Sequence, residues 1–374
     1  MKRQHMSQQA QNKIRVAVIC GGASAEHEVS LASARNIVAA LDRDRFDVSV
    51  IGIDKAGVWH AAEADDFVHA PDDPKHIALK AHAAELAVVP GRETGQIIDV
   101  ATGAVALDID VAFPIVHGPT GEDGTLQGLL RAANIACVGA GVLASAAAMD
   151  KDVTKRLLRD AGIKIAPFAL VTRETAADAH YDTLAATLGS TLFVKPANLG
   201  SSVGVSRATD AQSFDDALAL ALRFDHKVLI EAGVVGREIE CAVLGNTAPR
   251  ASTVGEVVVA GGGFYAYDTK YVDDSAEVMI PADLAATTIE AVQQVALATY
   301  KTLDCRGLAR VDVFVTDDAQ VIVNEINTLP GFTRISMYPK LWAASGIAYR
   351  DLVSQLIDLA RERHAADRAL ATSM

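Results

Sequence analysis

Cysteine is scarce in this sequence, with four residues in 374, and no two of them form a C-x-x-C pair. This spacing excludes a disulfide framework and a cysteine-based zinc site, so we interpret the thiols as buried groups of a protein in a reducing cytoplasm. No apolar run is long enough to cross a bilayer. The first ten residues carry charge without an apolar core, which excludes a signal peptide. The expected location is therefore cytoplasmic, without a membrane partner.

Positive charge is also in deficit, because 34 Lys and Arg oppose 47 Asp and Glu and leave a net charge of −13. This balance disfavours a nucleic-acid partner but allows a nucleotide in a local basic cleft. Apolar residues make up 50% and charged residues 22%, which is typical of a folded globular chain and not of a disordered one. A length of 374 residues is enough for two or three domains.

The stretch 310–331 contains the densest set of polar residues in an apolar setting. Val311, Val313 and Val315 alternate with polar positions, which predicts a strand with Arg310 and Asp312 on one face. After a turn at 317–318, residues 321–327 predict a returning strand in which Glu325 and Asn327 share a face with Val321 and Val323. The metal ligands are therefore predicted to be Asp312, Glu325 and Asn327, a hard-oxygen set that suits Mg²⁺. Arg310 is predicted to stabilise an oxyanion. An ordinary solvated hairpin is the alternative.

Two glycine loops follow predicted strands in the first third of the chain. Residues 14–19 form a buried strand that leads into Gly21-Gly22, Glu26 and Ser30 and then a helix over 31–41. In an open α/β sheet, ligands bind beyond the carboxyl ends of the strands, so Glu26 is a candidate site residue. Helix capping by a serine is the alternative. His117 opens the second loop, after a strand over 110–114, and is a structural residue or a ligand contact.

The middle of the chain lacks both common nucleotide-loop signatures. The G-x-G pattern at 139–144 has no acidic strand end at the required distance, so we reject a dinucleotide site there. Lys195 ends a strand before the Gly/Ser loop 200–204. This loop is not a Walker A loop, but a lysine in front of such a loop can bind phosphate while the loop folds over it. Lys151, at the start of a helix that ends near Gly162, has a weaker local signal. Glu231 and Glu238 flank a glycine turn that suits an adenine-reading linker.

Three further segments complete the pattern. Residues 60–105 are weakly patterned, and we interpret them as a variable surface insertion. The run 261–271 contains three glycines and three tyrosines, which indicates a segment that orders over a ligand or a structural aromatic cluster. A helix is predicted to begin after Met337, where its N-terminal N–H groups suit a carboxylate.

Four motifs together resemble the D-alanine–D-alanine ligases of the ATP-grasp superfamily, over roughly residues 14–360. They are G-G-x-S-x-E-x-x-V-S at 21–30, H-G-x-x-G-E-D-G at 117–124, the acid-flanked glycine turn at 231–238, and R-x-D with N-E-I-N-T-x-P-G at 310–331. The resemblance implies ATP-dependent joining of two D-alanine molecules through an acylphosphate, in peptidoglycan precursor synthesis. It also implies ATP and Mg²⁺ or Mn²⁺, two D-alanine sites and a homodimer.

The resemblance assigns a role to each motif residue. The implied catalytic residues are Glu26, Ser202, Tyr271, Arg310 and Gly331, in which the Glu, Ser and Tyr pin a loop over the closed site. The implied substrate-binding residues are His117, Lys270, Ser336 and Met337. The implied ATP-binding residues are Lys151, Lys195, Ser201, Glu231, Val234 and Glu238. Tyr271 is also linked with a preference for an amine acceptor over a hydroxyl.

The implied fold is α/β with α+β lobes, namely a three-domain ATP-grasp fold with an N-terminal open α/β sheet. We divide the chain into a disordered tail at 1–13, an N-terminal α/β substrate domain at 14–130, a central ATP-grasp lobe at 131–235, and a C-terminal lobe at 236–374 with the metal and acceptor sites. Two alternatives stay open: a D-alanine–D-lactate or other ATP-grasp ligase, and a non-catalytic nucleotide-binding protein. The second is disfavoured because the predicted metal ligands and Arg310 are all present.

Overall fold

A computed structural model of the chain describes residues 13–73, 76–80, 84–259 and 276–371. Three larger sheets and two small ones, with helices packed against them, confirm the mixed α/β class. None of the helices in these ranges is both long and apolar enough to cross a bilayer. The predicted site residues Lys270 and Tyr271 lie outside the described ranges.

The N-terminal sheet is the predicted open α/β sheet. Its strands lie in the order β10-β9-β1-β2-β3, parallel except for the last pair. The helix α1 packs against it and α2 follows the second glycine loop. Because β1 and β9 are parallel neighbours, the loops after them, which hold Glu26 and His117, meet at one edge. The elements are β1 Ile14–Gly21, α1 His27–Ala40, β2 Phe46–Ile53, β3 Trp59–Ala62, β9 Val111–Pro114, α2 Thr125–Ala132 and β10 Ala136–Cys137.

The interpretation of residues 60–105 as a surface insertion is wrong in part. Three of the strands there form an antiparallel sheet, and Leu86, Ile97 and Ile109 are buried in one core with β1 residues. The short runs of apolar residues gave too weak a period to predict these strands, although each run contributes one or two side chains to the core. The strands are β4 Val68–His69, β5 Ala78–Leu79, β6 Leu86–Val89, β7 Gly95–Asp99 and β8 Val105–Ile109.

The central sheet is antiparallel in the order β11-β14-β12-β13. Its buried face packs against α6 around Phe214, and α5 contacts α6. A single 3₁₀ turn, Ala176–Asp178, precedes the helix between the first two strands of this sheet. The elements are β11 Phe168–Thr172, α5 Tyr181–Leu188, β12 Leu192–Pro196, β13 Ser206–Ala208, α6 Ala211–Ala221 and β14 Lys227–Ala232.

The C-terminal sheet lies in the order β17-β16-β15-β18-β19 and is antiparallel. Its core contacts include α3, α4 and α7, while α8 and α9 join a second core shared with α1 and β1. The elements are α3 Val142–Met149, α4 Lys151–Asp160, β15 Arg237–Gly245, β16 Arg250–Val259, β17 Ala276–Met279, α7 Ala286–Thr302, β18 Gly307–Val315, β19 Val321–Asn327, α8 Met337–Ala344 and α9 Tyr349–Arg368. The domain division proposed from the sequence stays a prediction, although β10 pairs within the N-terminal sheet and α3 and α4 pack in the core of the C-terminal sheet.

Phe332 ties the loop after β19 to the first domain. Its side chain is fully buried and its ring lies 6.0 Å from that of Phe113 and 5.5 Å from that of Tyr338. Its N–H donates to Ser33 Oγ at 3.1 Å, and Tyr349 donates to its carbonyl at 2.8 Å. These contacts fix the backbone next to Gly331, where the oxyanion donor is predicted.

Phe332→Ala is expected to destabilise the protein by about 3–5 kcal/mol, because a large buried ring is replaced by a cavity. Leu143→Ala is the control, since Leu143 is 68% exposed and such surface changes cost less than about 0.5 kcal/mol. Urea unfolding of both variants and wild type measures the difference. Equal stability of the two variants would contradict the packing role of Phe332.

Candidate functional site

The hairpin of β18 and β19 brings together the residues predicted for metal and oxyanion binding. Asp312 pairs with Glu325, and Arg310 pairs with Asn327. The Arg310 guanidinium donates from Nε and Nη2 to the two oxygens of Asp312, each at 2.7 Å. Asn327 Oδ1 accepts the Leu329 N–H at 3.0 Å. The predicted convergence is therefore present.

The simple alternation predicted for the second strand is wrong at one position. A register shift inserts one extra residue in β19, so Val323 pairs with Val313 while Glu325 pairs with Asp312. This β-bulge turns Glu325 and Asn327 away from the core face that Val321 and Val323 occupy. The extra residue, Asn324, accepts a hydrogen bond from Lys195 Nζ at 3.4 Å.

The donor set fits a hard divalent cation. No three His, Cys, Asp or Glu side chains of the described ranges converge as a metal site on their own. The set here consists of two carboxylates, from Asp312 and Glu325, and the Asn327 amide, which leaves coordination positions for phosphate oxygens. Both Asp312 oxygens already accept from Arg310, so metal binding would have to share or displace that contact.

Lysines from the central part of the chain face these carboxylates. Lys151 is the first residue of α4, where Asp150 caps the helix, and its Nζ lies 3.8 Å from Glu325 Oε2. The same ammonium donates to the carbonyl of Leu199 in the Gly/Ser loop. Lys195 is in the last part of β12, as predicted. The two ammonium groups thus lie beside the proposed metal ligands, where a polyphosphate would need them.

Glu231 has a role that the sequence did not reveal. It is buried, and its two oxygens form ion pairs with Lys155 and Lys195. Burial alone would raise the pKa of Glu231, but the two lysines outweigh it and lower this pKa to about 2. Burial alone would lower the pKa of Lys195, but the charge of Glu231 opposes burial, and this pKa is raised. For Lys155, burial lowers the pKa although the charge of Glu231 opposes that change. Glu231 is therefore the counter-ion of both lysines.

Lys155 was missed in the sequence, although a signal existed. It lies one helical turn after Lys151 on α4, and residues four apart on a helix share a face. Val234 and Glu238 are half-buried, in and after the turn that joins β14 to β15. The charge of Glu238 helps to raise the pKa of Lys195. The expected contact of Val234 and Glu238 with adenine or ribose stays a prediction.

The N-terminal glycine loops form the third side of the site. Ser201 Oγ donates to Glu26 Oε1, so the Gly/Ser loop reaches the first domain through Ser201, next to the predicted Ser202. Both serines have positive φ, 50° and 58°, a backbone conformation that non-glycine residues rarely adopt outside functional loops. Of the two serines that could cap α1, Ser30 accepts the Gly21 N–H at 2.8 Å and donates to Ile115 O at 2.5 Å, so it does not cap the helix. Ser24 Oγ accepts the Glu26 N–H at 3.2 Å, just before the helix, while the N-cap residue Glu26 makes no side-chain cap.

His117 and Glu122 are buried beside Glu26. His117 Nδ1 lies 4.0 Å from Glu122 Oε1, and its Nε2 has no hydrogen-bond partner among the described residues. Burial lowers the pKa of His117 although Glu26 opposes the change. Burial, and then the charge of Glu26, raise the pKa of Glu122 to about 8, while the Gly118 N–H donates to it at 2.7 Å. In this cluster, burial therefore favours the neutral forms of both the imidazole and the carboxyl.

The loop 331–337 presents its backbone to the same side. A Cβ on Gly331 would lie 2.8 Å from Ser336 Oγ, so a larger residue would collide there. The Ser336 N–H, predicted to bind a carboxylate, donates to Thr333 O at 3.2 Å in this structure. Met337 begins α8 as predicted, with a buried side chain. Of the two predicted carboxylate donors, Ser336 would first have to release Thr333.

Two family models match the chain. The model described as the N-terminus of D-ala D-ala ligase matches residues 15–140, and the model of the C-terminus matches residues 157–358. D-alanine–D-alanine ligase A of Escherichia coli K12 is 57% identical over 363 residues, which cover 97% of this chain and 100% of that protein.

Solved structures agree with these matches. The D-alanine–D-alanine ligase of Coxiella burnetii superposes with a TM-score of 0.80 at 39% identity, covering 95% of this chain and 97% of that one. The VanG D-Ala:D-Ser ligase of Enterococcus faecalis superposes with a TM-score of 0.83 at 33% identity, covering 93% and 100%. The fold is thus shared by ligases that differ in their second substrate.

Glu122→Gln is expected to flatten the dependence of stability on pH. A pKa raised from 4.5 to about 8 means that the folded state retains a proton that the unfolded chain releases, so wild-type stability falls as pH rises through this window. Glutamine is a neutral mimic that keeps the oxygen bonded to Gly118. Urea unfolding of the substrate-free protein at a series of pH values between about 5 and 8 measures this. Parallel profiles for variant and wild type would contradict the assignment.

Proposed function

The chain belongs to the D-alanine–D-alanine ligase family, and we propose that it joins two D-alanine molecules into D-alanyl-D-alanine with cleavage of ATP to ADP and phosphate. The product would serve peptidoglycan precursor synthesis. The observation that supports this most is the meeting of three groups around one site: the carboxylates and Arg310 of the β18–β19 hairpin, Lys151 and Lys195, and the Glu26–Ser201 contact.

The reaction we propose has two steps. An oxygen of the first D-alanine carboxylate attacks the γ-phosphorus of ATP, the bond to the ADP oxygen breaks, and an acylphosphate forms. Lys151 and Lys195 hold the phosphates and oppose their charge. The amine of the second D-alanine then attacks the acylphosphate carbonyl carbon, phosphate leaves, and the amine releases a proton. Arg310 and the Gly331 N–H would stabilise the tetrahedral oxyanion between attack and loss of phosphate.

The ATP-dependent ligases of this family use a divalent metal ion, and we propose that it is Mg²⁺, with Mn²⁺ as a substitute. Asp312, Glu325 and Asn327 would hold it. When bound, such an ion would supply positive charge that opposes the charge developing on the phosphates. The neighbouring Lys151 lies 3.8 Å from Glu325 and would oppose the charge of the same phosphates.

The substrates are assigned by position. Glu26 would bind the ammonium group of the first D-alanine, with His117 beside it, and the backbone of Ser336 and Met337 would bind the second carboxylate. Val234, Glu231 and Glu238 would flank the adenosine. Closing the Gly/Ser loop through Ser201 and Ser202 would exclude water, which otherwise hydrolyses the acylphosphate. The contributions of Lys270 and Tyr271, the homodimer and the cytoplasmic location stay predictions.

A second candidate is a ligase with another acceptor. The similarity to a D-Ala:D-Ser ligase shows that the fold alone does not select the second substrate. D-Lactate differs from D-alanine at the nucleophilic atom, and D-serine adds a hydroxyl. Retention of Tyr271 in the sequence favours an amine acceptor.

The function is tested by measuring phosphate release and products from the purified protein with ATP and Mg²⁺. D-Alanine alone is expected to give D-alanyl-D-alanine and phosphate in equal amounts, because each peptide bond consumes one acylphosphate. Addition of D-serine or D-lactate is expected to divert little product. A predominant mixed dipeptide or depsipeptide would establish the second candidate, and absence of ATP cleavage would refute both.

Glu325→Gln is expected to abolish ligation with little loss of stability, because the substitution removes a metal-binding charge at a partly exposed position. Glu290→Gln, at an exposed site on α7, is the control and is expected to keep wild-type activity. Steady-state rates over a range of Mg²⁺ concentrations, with unfolding curves for both variants, provide the measurement. Wild-type turnover by Glu325→Gln at ordinary Mg²⁺ would refute the ligand assignment.

A further inference from the structure

Glu240 is a buried carboxylate on the site face of the C-terminal sheet that no motif identified. Glu240 lies on β15 directly opposite Asp312 of β18, and the residue is only 8% exposed. Glu240 Oε2 lies 2.9 Å from Arg310 Nε. A buried carboxylate requires a charged or hydrogen-bonded partner, and Arg310 provides one.

Arg310 is therefore held by two carboxylates. Asp312 accepts two parallel hydrogen bonds from its guanidinium, and Glu240 approaches Nε from the neighbouring strand. Burial would lower the pKa of Arg310, but Asp312 and Glu240 raise it well above its ordinary range. The side chain is a fixed cation whose orientation depends on these two anions.

The two carboxylates differ in whether they are also proposed to bind the metal ion. Asp312 is a proposed metal ligand, and an oxygen that binds a divalent cation becomes a weaker acceptor for a guanidinium, which the cation also repels. Glu240 is outside the proposed ligand set, so metal binding would not weaken its ion pair with Arg310. Metal binding would thus shift the balance of Arg310 contacts from Asp312 towards Glu240.

We propose that Glu240 is a positioning residue that holds Arg310 at the oxyanion position when Asp312 binds the metal. This inference rests on the roles of Arg310 and Asp312 given under the proposed function. Without the charge of Glu240, Arg310 would remain on Asp312 and compete with the metal, or turn away from the oxyanion. Both consequences differ from a general loss of stability.

The sheet offers a matched control in Glu256. This glutamate is equally buried at 8% and forms a two-point ion pair with Arg237, with Nε to Oε1 at 2.8 Å. It pairs across β15 with Ile239, which is a core residue, so it lies on the opposite face from Glu240. Glu256→Gln therefore removes the same kind of buried charge without touching the site.

The experiment uses the full-length enzyme with Glu240→Gln, Glu240→Asp and Glu256→Gln. Glutamine keeps the shape and removes the charge, whereas aspartate keeps the charge. Glu240→Gln is expected to lower kcat about tenfold or more, because the buried ion pair that orients Arg310 loses its negative charge, with little change in the KM for ATP. Glu240→Asp is expected to retain more activity than Glu240→Gln.

A second readout does not depend on turnover. Calorimetric titration of each protein with ADP at a series of Mg²⁺ concentrations gives the Mg²⁺ needed for half-maximal tightening of ADP binding. This concentration is expected to rise severalfold in Glu240→Gln, because Arg310 then stays on Asp312, and to stay at the wild-type value in Glu256→Gln. ADP binding without Mg²⁺ is expected to be the same in all, which also shows that the variants are folded.

The outcomes are separable. If wild type makes no dipeptide, the proposed function fails; if Arg310→Ala keeps full kcat, the role of Arg310 fails. If wild type ligates and Arg310→Ala does not, while Glu240→Gln matches Glu256→Gln in kcat and Mg²⁺ dependence, the positioning role of Glu240 is overturned. Should Glu240→Gln not fold, Glu240→Asp decides the question, because aspartate is one methylene shorter and cannot keep the 2.9 Å contact with Arg310. A lower kcat with a raised Mg²⁺ requirement and unchanged ADP binding without Mg²⁺ supports the role, and wild-type values of both overturn it.

Discussion

The pairing of β18 with β19 is the constraint on which the rest of the site depends. Its register places Asp312 opposite Glu325 and Arg310 opposite Asn327, and the bulge at Asn324 turns this end of the hairpin away from the core. A shift by one residue would exchange the two faces and bury the carboxylates among valines. The burial of Val311, Val313 and Val323 on the other face therefore fixes the site as well as the core.

Charge balance explains how the lobes fit together before any ligand binds. The lysines of α4 and β12 need anions, and the structure provides Glu231 and Glu325. Phosphates would compete for the same ammonium groups, so ligand binding exchanges partners and does not bury new, unpaired charge. One oxygen of Glu231 pairs with Lys195 and the other with Lys155. Lys155 would therefore stay paired with Glu231 when Lys195 turns to a phosphate.

Much of the fold could be predicted from the sequence because its strands are strongly patterned. The strand predicted over 14–19 and the helix predicted from Lys151 are both observed, as Ile14–Gly21 and Lys151–Asp160, since an apolar run marks the first and an aspartate cap the second. The strands between 60 and 105 were not predicted, because each holds only two to five residues. A period cannot be established over so short a run.

The site was predictable where one strand carries several functional residues, and less so where partners are distant in sequence. Arg310 and Asp312 are two residues apart, whereas Glu240 reaches Arg310 only through strand pairing, and Lys155 reaches Glu231 only through the packing of α4. The β19 bulge was missed because no residue pattern distinguishes an inserted Asn324 from regular alternation. The Glu26–Ser201 contact joins residues that are 175 positions apart in the sequence. Only the family resemblance gave a reason to expect a serine of the Gly/Ser loop on Glu26, and it indicated the neighbouring Ser202.

In the proposed reaction, the Glu26–Ser201 contact would join substrate recognition to closure of the Gly/Ser loop. Glu26 belongs to the first domain and Ser201 to the Gly/Ser loop that follows Lys195, so one carboxylate holds the loop near the lysines. An ammonium group bound to Glu26 would lie beside the same oxygen and beside Glu122, whose burial disfavours its charged form. The cation would thus neutralise Glu26 while the serine remains on the other lone pairs. Binding of the first amino acid and ordering of the loop would therefore favour each other through a single side chain.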